Sequence, residues 1–322
     1  PLDKLRIAKL RRDLRSCHPA MLLRGDDLTT AEALVERGFS PAMIERFFRP
    51  LVGGIQLDPD LTASRRMFDI IFRTLADGGA GVPAQGMQAL SDQIASQLPA
   101  ATVHLDSPVA EVGPGRVRTI DGRTVTAGSV VVACEGPAAV ELLGADRLGV
   151  AEVRSRPVGC VWFAADRAPT NSRMVVLDGA ASGPVLNVAV MSNVAPEYAP
   201  SGRHLVAAAM PGHVEGDLVG AARRQLRGWW GTQVDAWEHL RTHRIVHGQP
   251  DQSPPLRPRR RVALGDGMYV CGDHRDTASI QGALHSGRRT AEAVLADRST
   301  AAGTIGQRTD PTPADITDGR HP

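Results

Sequence analysis

Apolar residues recur at helical spacing along the first quarter of the chain. Residues 2–15 carry one apolar stripe in an otherwise basic segment, which is typical of an amphipathic helix. The stripe consists of Leu5, Ile7, Leu10 and Leu14. The pattern predicts that this helix packs on its own domain, with docking on a membrane surface as the less favoured interpretation.

Further helices are predicted from capping residues and prolines. Thr29 or Thr30 is placed to cap a second helix. A third begins at Ser40 and is expected to stop at Pro50, because proline disrupts a helix interior. Residues 62–76 are again helical in pattern, so this part of the chain is predicted to be mainly α.

The pattern changes after Gly78 from helical spacing to alternation. A helix is predicted over 87–98, and short strands over 103–105 and 109–112. Residues 116–127 alternate on both sides of an Asp-Gly pair, which predicts a β-hairpin. The apolar run at 129–134 is typical of a buried parallel strand.

The second half of the chain is predicted to be mixed α and β. Strands are expected over 157–165, 172–192, 204–210, 237–246 and 268–271, and helices over 217–228 and 279–296. Residues 250–258 are proline-rich and predict a surface connector. The polar sequence after Arg298 predicts a disordered tail.

Composition narrows the function classes. The 322 residues are 42% hydrophobic and 22% charged, as in folded globular proteins, and the length suits two domains or one domain with an insertion. A net charge of +2 argues against a nucleic-acid partner. The four cysteines form no CxxC pair and are interpreted as buried thiols of a reducing cytosol. No apolar run is long enough for a membrane span, so a cytoplasmic location is expected, and the start at Pro1 suggests a fragment or trimmed product.

The most informative stretch is 267–295. An apolar strand ends in Gly272-Asp273, a polar loop follows, and the next helix carries Gly282 near its start. Glycine permits close approach of a ligand, the carboxylate accepts hydrogen bonds from hydroxyl groups, and a helix N-terminus attracts negative charge. This combination suits a flavin nucleotide, although a β-loop-α unit that binds nothing gives the same pattern about equally well.

The stretch resembles the closing flavin motif of the flavin-containing amine oxidase superfamily, which includes monoamine oxidases, protoporphyrinogen oxidases and phytoene desaturases. The matching pairs are Gly272-Asp273, Gly282-Ala283 and Ser286-Gly287, preceded by the strand start Gly267-Met268-Tyr269. The resemblance implies FAD as cofactor. It also implies that Asp273 binds the ribityl chain and that backbone donors near Gln281, Gly282 and Ala283 stabilise the reduced ring.

Other segments resemble the same superfamily in the same order. Residues 81–90 are similar to its Pro-x-Gly-Gly-Met segment, with Gln85 in place of the first glycine. Residues 107–134 resemble the block that covers adenine, where the residue matching Val109 makes a backbone contact. Residues 47–68 resemble members close to phytoene desaturases.

Departures from the family pattern shape the predicted chemistry. The N-terminal GxGxxG fingerprint, which holds pyrophosphate, is absent from the chain. No lysine follows Lys9 to serve the flavin N5, and Tyr198 and Tyr269 are the only tyrosines available for an aromatic cage around an amine. An apolar or polycyclic substrate that loses a hydride is therefore favoured over an amine.

Three weaker signals are interpreted conservatively. His239, His243 and His247 lie on a predicted strand, where residues four apart are roughly 13 Å from each other, so a shared metal is disfavoured. The arginine run at 257–261 is interpreted as a solvated connector, and His274 and Asp276 either touch ligand or are solvated loop residues. Serine-based catalysis finds no GxSxG elbow.

Together these observations predict an α/β fold: a glutathione-reductase-like FAD-binding domain, incomplete because its first βαβ part is missing, interleaved with a mixed α+β substrate domain. The predicted segments are 1–76 (substrate domain, helical), 77–135 (FAD-binding), 136–255 (substrate domain, mixed sheet), 256–297 (FAD-binding) and 298–322 (tail). The predicted cofactor-binding residues are Val109, Gly272, Asp273, Gln281, Gly282 and Ala283. No catalytic residue is identified. The predicted function is an FAD-dependent oxidoreductase acting on a small, apolar molecule. The alternatives are a non-catalytic remnant or subunit that does not bind FAD by itself, and an amine oxidase.

Overall fold

The computed structural model describes residues 2–150 and 154–306, with side chains as far as residue 300. The α-helices are α1 (Leu2–Ser16), α2 (Pro19–Leu22), α3 (Thr30–Glu36), α4 (Pro41–Met43), α5 (Arg65–Asp77), α6 (Gln88–Ala95), α7 (Gly136–Leu143), α8 (Ala145–Leu148), α9 (Met191–Val194), α10 (Leu218–Trp230) and α11 (Ile280–Gly306). The strands are β1 (Val109–Gly113), β2 (Arg116–Thr119), β3 (Thr124–Thr126), β4 (Val130–Val132), β5 (Ser155–Ala165), β6 (Val176–Leu177), β7 (Asn187–Val190), β8 (His204–Pro211), β9 (Glu238–Pro250), β10 (Ala263–Gly265) and β11 (Met268–Val270).

The N-terminal segment is helical, as its apolar spacing predicts. Thr29 caps α3 through a capping box with Glu32, in which each residue satisfies a backbone N–H of the other. The helices enclose a core in which Phe48 and Phe68 are fully buried and their rings meet edge to face. The stripe of α1 contributes Leu10 and Leu14 to this core.

The prediction that the third helix stops at Pro50 is wrong. The chain continues from α4 into a π-helix over Ile44–Gly53, with Pro50 inside it. Pro50 has no backbone N–H, so it leaves one helical hydrogen bond unmade at this position. The Pro50 carbonyl instead accepts a hydrogen bond from Asn187 of β7.

The largest sheet has five antiparallel strands in the order β6-β7-β8-β5-β9. One face packs on α10, with Val161 and Phe163 of β5 and Leu226 of α10 fully buried between them. The region 172–192 predicted as strand holds the short strands β6 and β7, separated by a loop, and the first residues of α9. β9 is longer than predicted and extends to Pro250.

Two smaller sheets accompany it. β1, β2 and β3 form the predicted antiparallel hairpin and its neighbour, and β4 pairs with β11 in parallel, as the apolar run indicates. β10 completes that second sheet, in the order β10-β11-β4. The strand predicted over 103–105 is absent: this exposed segment lies between positive φ angles at Ala101 and Asp106.

Two further observations concern the helices. α11 runs to Gly306, beyond the predicted end at residue 296, and the rest of the predicted tail, 307–322, lies outside the described residues. Within the described ranges, no helix combines the length and apolar composition needed to cross a bilayer.

Candidate functional site

The carboxyl ends of β4 and β11 lie side by side. Their parallel register pairs Val132 with Val270, and the Cys271 amide donates to the Val132 carbonyl at 3.0 Å. Both strands are apolar and pack on one small core. The carboxyl edge of parallel strands is where open α/β sheets bind ligands, so the residues that follow β11 are the first candidates.

Gly272 follows β11 in a conformation that favours glycine. Its φ is +146°, and an added Cβ would lie 2.5 Å from the His274 ring and 3.2 Å from the Cys134 carbonyl oxygen. Ser286 of α11 fixes this residue from the other side: its hydroxyl accepts from the Gly272 amide at 2.9 Å and lies 2.8 Å from the Gly272 carbonyl oxygen. The turn is therefore held rigidly between α11 and the end of the sheet.

Asp273 is half-buried at this turn. Burial raises the pKa of its carboxyl group, while hydrogen bonds from backbone N–H groups oppose the shift and the Glu135 carboxylate adds to it. A carboxylate so placed can accept hydrogen bonds from ligand hydroxyl groups. This geometry suits the predicted role of Asp273.

The His274 ring is buried against Gly272 with 9% of its surface exposed. Burial lowers the pKa of His274 to about 4, and the nearby charges of Arg275 and Arg260 add to the shift. Both ring nitrogens lack a hydrogen-bond partner among the described residues. The imidazole is therefore neutral at physiological pH, with its donor and acceptor unused.

The start of α11 differs from the predicted donor arrangement. The Gly282 amide donates to the Ser279 hydroxyl at 2.9 Å and the Ala283 amide to the Ser279 carbonyl, so both are committed to capping. Gly282 itself packs against the loop, since an added Cβ would lie 1.9 Å from the Thr277 carbonyl oxygen. Gln281 is exposed at the same helix end.

The predicted cofactor-binding residues fall into two groups. Gly272, Asp273 and the start of α11 are brought together by Ser286, whereas Val109 lies at the beginning of β1 in the three-stranded sheet. Val109 is 38% exposed, and its sheet joins the small core through Val112 and Val117.

Sequence analysis missed the residues that shape the turn. Ser286 was noted as a motif residue without a role, and Ser279 as a helix start. Gln252 had no role at all, yet it is buried and its side-chain oxygen accepts from the Ala278 amide at 3.2 Å. We call the two hydrogen bonds between the Ser286 hydroxyl and Gly272 the clamp. A serine on the helix that follows a Gly-Asp turn is the sequence signal that identifies such a clamp.

The weaker signals have plain structural settings. His239, His243 and His247 lie along β9, and the described residues contain no cluster of His, Cys, Asp or Glu that is able to hold a metal ion. His243 Nδ1 accepts from the Trp162 indole N–H at 3.1 Å. Arg257, Arg260 and Arg261 are exposed residues that line a cavity of about 800 Å³.

A glycine-aspartate turn at the carboxyl end of parallel strands, followed by a capped helix, is typical of nucleotide-binding α/β proteins, and here the same chain also carries a five-stranded antiparallel sheet. The family of flavin-containing amine oxidoreductases matches residues 5–295. The chain belongs to this family. It is an FAD-dependent oxidoreductase, and the predicted cofactor, FAD, is confirmed.

Solved structures agree with this fold. A putative protoporphyrinogen oxidase from Exiguobacterium sp. 255-15 is 17% identical, with a TM-score of 0.65, covering 86% of this chain and 71% of its own. An oxidoreductase from Methanosarcina mazei is also 17% identical, with a TM-score of 0.61 and coverages of 85% and 70%. A Pyrococcus furiosus protein is 14% identical, with a TM-score of 0.67 and coverages of 90% and 71%. No curated protein sequence matches.

Proposed function

We propose that this FAD-dependent oxidoreductase removes a hydride from an apolar or polycyclic small molecule. The observation that carries the proposal is the Gly272 turn, which Ser286 holds at the carboxyl end of β4 and β11. Bound FAD supplies a hydride acceptor. The chain supplies the binding groups, the orientation of the substrate and the exclusion of water.

The residues of the turn suit a flavin nucleotide. Asp273 offers a half-buried carboxylate for ribityl hydroxyl groups. The N-terminal end of α11, at Ile280 and Gln281, presents the positive end of a helix dipole, which favours a negatively charged ligand group. Because Ser279 already binds the amides of Gly282 and Ala283, the helix contributes mainly its dipole and the amide of Gln281.

We assign the FAD-binding domain to 77–135 and 256–297, and the substrate domain to 1–76 and 136–255. The support is the sheet β10-β11-β4, in which β4 is an edge strand made of three valines. An unprotected apolar edge strand pairs readily with another strand, so a further parallel strand beside β4 would complete a glutathione-reductase-like sheet. In a domain of that type, the strand at this position comes from the first βαβ part.

The hydrogen bonds made by the two tyrosines favour an apolar substrate over an amine. The Tyr269 hydroxyl donates to Asp297 at 2.7 Å within the fold, and the Tyr198 hydroxyl donates to the Pro83 carbonyl at 2.8 Å. Both hydroxyl groups are therefore committed to bonds within the fold, and the Tyr269 ring is buried, so it offers no open face to an ammonium group. The two lysines, Lys4 and Lys9, both lie on α1, and neither is among the residues of the Gly272 turn.

The test is flavin reduction by candidate substrates in the purified FAD-loaded protein. Under anaerobic conditions, an apolar polycyclic donor should bleach the visible flavin band in single-turnover experiments, and primary amines should not. Bleaching by amines alone would favour the amine oxidase alternative. A folded protein without flavin absorbance after incubation with FAD would favour the non-catalytic remnant.

A matched pair of variants tests the turn itself. Asp273→Asn should weaken FAD binding by about tenfold, because a charge-assisted hydrogen bond to the ribityl chain is lost. Asp266→Asn makes the same change in the exposed β10–β11 turn and should leave FAD affinity unchanged. Equal affinities for the two variants would contradict the assignment of Asp273.

A further inference from the structure

The first helix, α1, has two different faces. Leu10 and Leu14 are buried in the helical core, and Ile7 packs against that core. Away from it, Leu2 is 64% exposed and Leu5 is 68% exposed. Residues three apart on a helix point to the same side, so these two leucines form one apolar patch that faces solvent. The packing of α1 on its own domain therefore leaves an outer face uncovered by the described part of the chain.

Positive charge is concentrated on the same helix. α1 carries six Lys or Arg residues and two Asp residues, so its net charge is +4, whereas the whole chain has +2. Lys9 and Arg12 continue the line of Leu2 and Leu5 along the helix at helical spacing, and both side chains are exposed. The outer face therefore presents leucines at its N-terminal end and cations after them.

The acidic side chains beside α1 neutralise only part of this charge. The Asp13 carboxylate lies 2.8 Å from Lys9 and 3.3 Å from Arg12, so one negative charge faces two positive ones in exposed, weak pairs. Lys4 and Arg11 have no carboxylate partner among the described residues, and Arg11 donates instead to the Ala76 carbonyl at 3.0 Å. An anionic partner therefore finds positive charge that the fold itself leaves uncompensated.

Aliphatic and cationic groups also lie side by side in a groove along α1. The groove has a volume of about 830 Å³, and it is lined by Ile7 and Ala8 together with Lys4, Arg11 and Arg15. A nucleic acid would contact the cations but would leave the leucines of the outer face in water. A lipid–water interface accommodates both, because leucines enter the apolar layer while Lys and Arg extend toward the phosphates.

We propose that the outer face of α1 docks on an anionic phospholipid bilayer. Leu2 and Leu5 enter the interface, and Lys4, Lys9 and Arg12 contact the lipid phosphates. The helix lies along the membrane surface, with Leu10 and Leu14 still in the protein core. This contact goes beyond the proposed function and does not rest on it, since it requires neither FAD nor substrate.

The test is flotation of the purified protein, supplied with FAD, on lipid vesicles. The protein should float with vesicles of equimolar phosphatidylcholine and phosphatidylglycerol and should not float with pure phosphatidylcholine. Binding should weaken as the salt concentration rises, because salt screens exposed charges. Flavin absorbance is recorded separately, so failure of the FAD assignment is distinguishable from failure of lipid binding.

A matched pair of double variants tests the cations. Lys9→Gln with Arg12→Gln should weaken binding to the anionic vesicles by about tenfold or more. Arg116→Gln with Arg118→Gln is the control, because these exposed arginines also share one carboxylate, that of Glu111. The control should change the affinity by less than about twofold, although it removes the same net charge.

A second pair of variants tests the leucines. Leu5→Gln should weaken vesicle binding by about threefold or more, because an apolar group no longer leaves water. Leu105→Gln changes a leucine that is 80% exposed elsewhere and should have no effect. All four positions of α1 tested or discussed on this face are exposed, and thermal melting of each variant checks that it remains folded.

Three results would overturn the proposal. They are no flotation with the anionic vesicles, equal flotation with both kinds of vesicle, and a loss in the Lys9/Arg12 variant no larger than in its control. If the Lys9/Arg12 variant loses binding but Leu5→Gln does not, the face attracts anions without entering lipid. The bilayer proposal then also fails, in favour of an acidic macromolecule.

Discussion

The guanidinium of Arg156 lies 3.0 Å from the carboxylate of Asp58, which is completely buried. Arg156 is the second residue of β5, whereas Asp58 follows the π-helix, so this pair joins the helical segment to the large sheet. Asp251, after β9, is 2.7 Å from the same guanidinium. One arginine therefore ties together three stretches that are far apart in sequence.

Replacing Arg156 with Met should destabilise the protein by about 3 kcal/mol, because Asp58 would remain as a buried, unpaired charge. Urea unfolding of both proteins measures this difference. Arg288→Met, which breaks an exposed pair with Glu292, should cost less than about 0.5 kcal/mol. If Arg156→Met loses no more stability than this control, the Arg156–Asp58 pair adds nothing to the stability of the protein.

Ser286→Ala should loosen the Gly272 turn. It leaves the part-buried Gly272 amide without an acceptor, which costs about 1–3 kcal/mol of stability, and FAD affinity should fall by about tenfold. Fluorescence titration with FAD and thermal unfolding report the two effects. Ser299→Ala removes a hydroxyl that bonds its own helix, and it should alter neither. If the FAD affinity of Ser286→Ala is unchanged, the hydrogen bonds of Ser286 to Gly272 do not contribute to cofactor binding.

Gly282→Ala and Gly287→Ala form a matched pair on α11. At Gly282 the new methyl group would lie 1.9 Å from the Thr277 carbonyl, so the loop must move, and both stability and FAD affinity should decrease. At Gly287 nothing lies within 4 Å, and Ala should stabilise the helix by up to about 1 kcal/mol. Thermal melting distinguishes the two, and a stabilised Gly282→Ala variant would contradict the packing.

The buried His274 predicts a specific pH dependence. Its pKa is about 4 in the folded protein against an ordinary 6.5, so the unfolded chain binds more protons between these values. The contribution of His274 is complete above pH 6.5 and is lost as the pH falls toward 4, by at most about 3 kcal/mol. The raised pKa of Asp273 acts with the opposite sign, so the effect is isolated by comparing wild type with His274→Asn. Parallel stability curves for the two proteins between pH 4 and 6.5 would refute it.

Local patterns predicted the parts of the fold that local physics determines. The α1 helix, the cap at Thr29 and the Asp-Gly hairpin depend on neighbours in sequence, and all three are confirmed, although Leu5 of the predicted α1 stripe is 68% exposed. Pro50 was misjudged because a π-helix depends on tertiary packing, including the bond from Asn187. The strand over 103–105 failed because alternation alone supplies no pairing partner.

The candidate site was predictable in kind but not in detail. The Gly272-Asp273 turn could be recognised in the sequence because few residue types other than glycine adopt the positive φ angle of residue 272. The clamp by Ser286 and the contact of Gln252 with Ala278 depend on side chains meeting across 14 and 26 residues of sequence. Such contacts have no periodicity along the chain, so only coordinates reveal them.

The valine edge of β4 also has a practical consequence. Val131 is 43% exposed, and the outer backbone groups of this short apolar strand face away from β11. Such an edge recruits other strands, including those of identical molecules. The concentration at which the purified polypeptide begins to self-associate therefore indicates how well β4 is shielded.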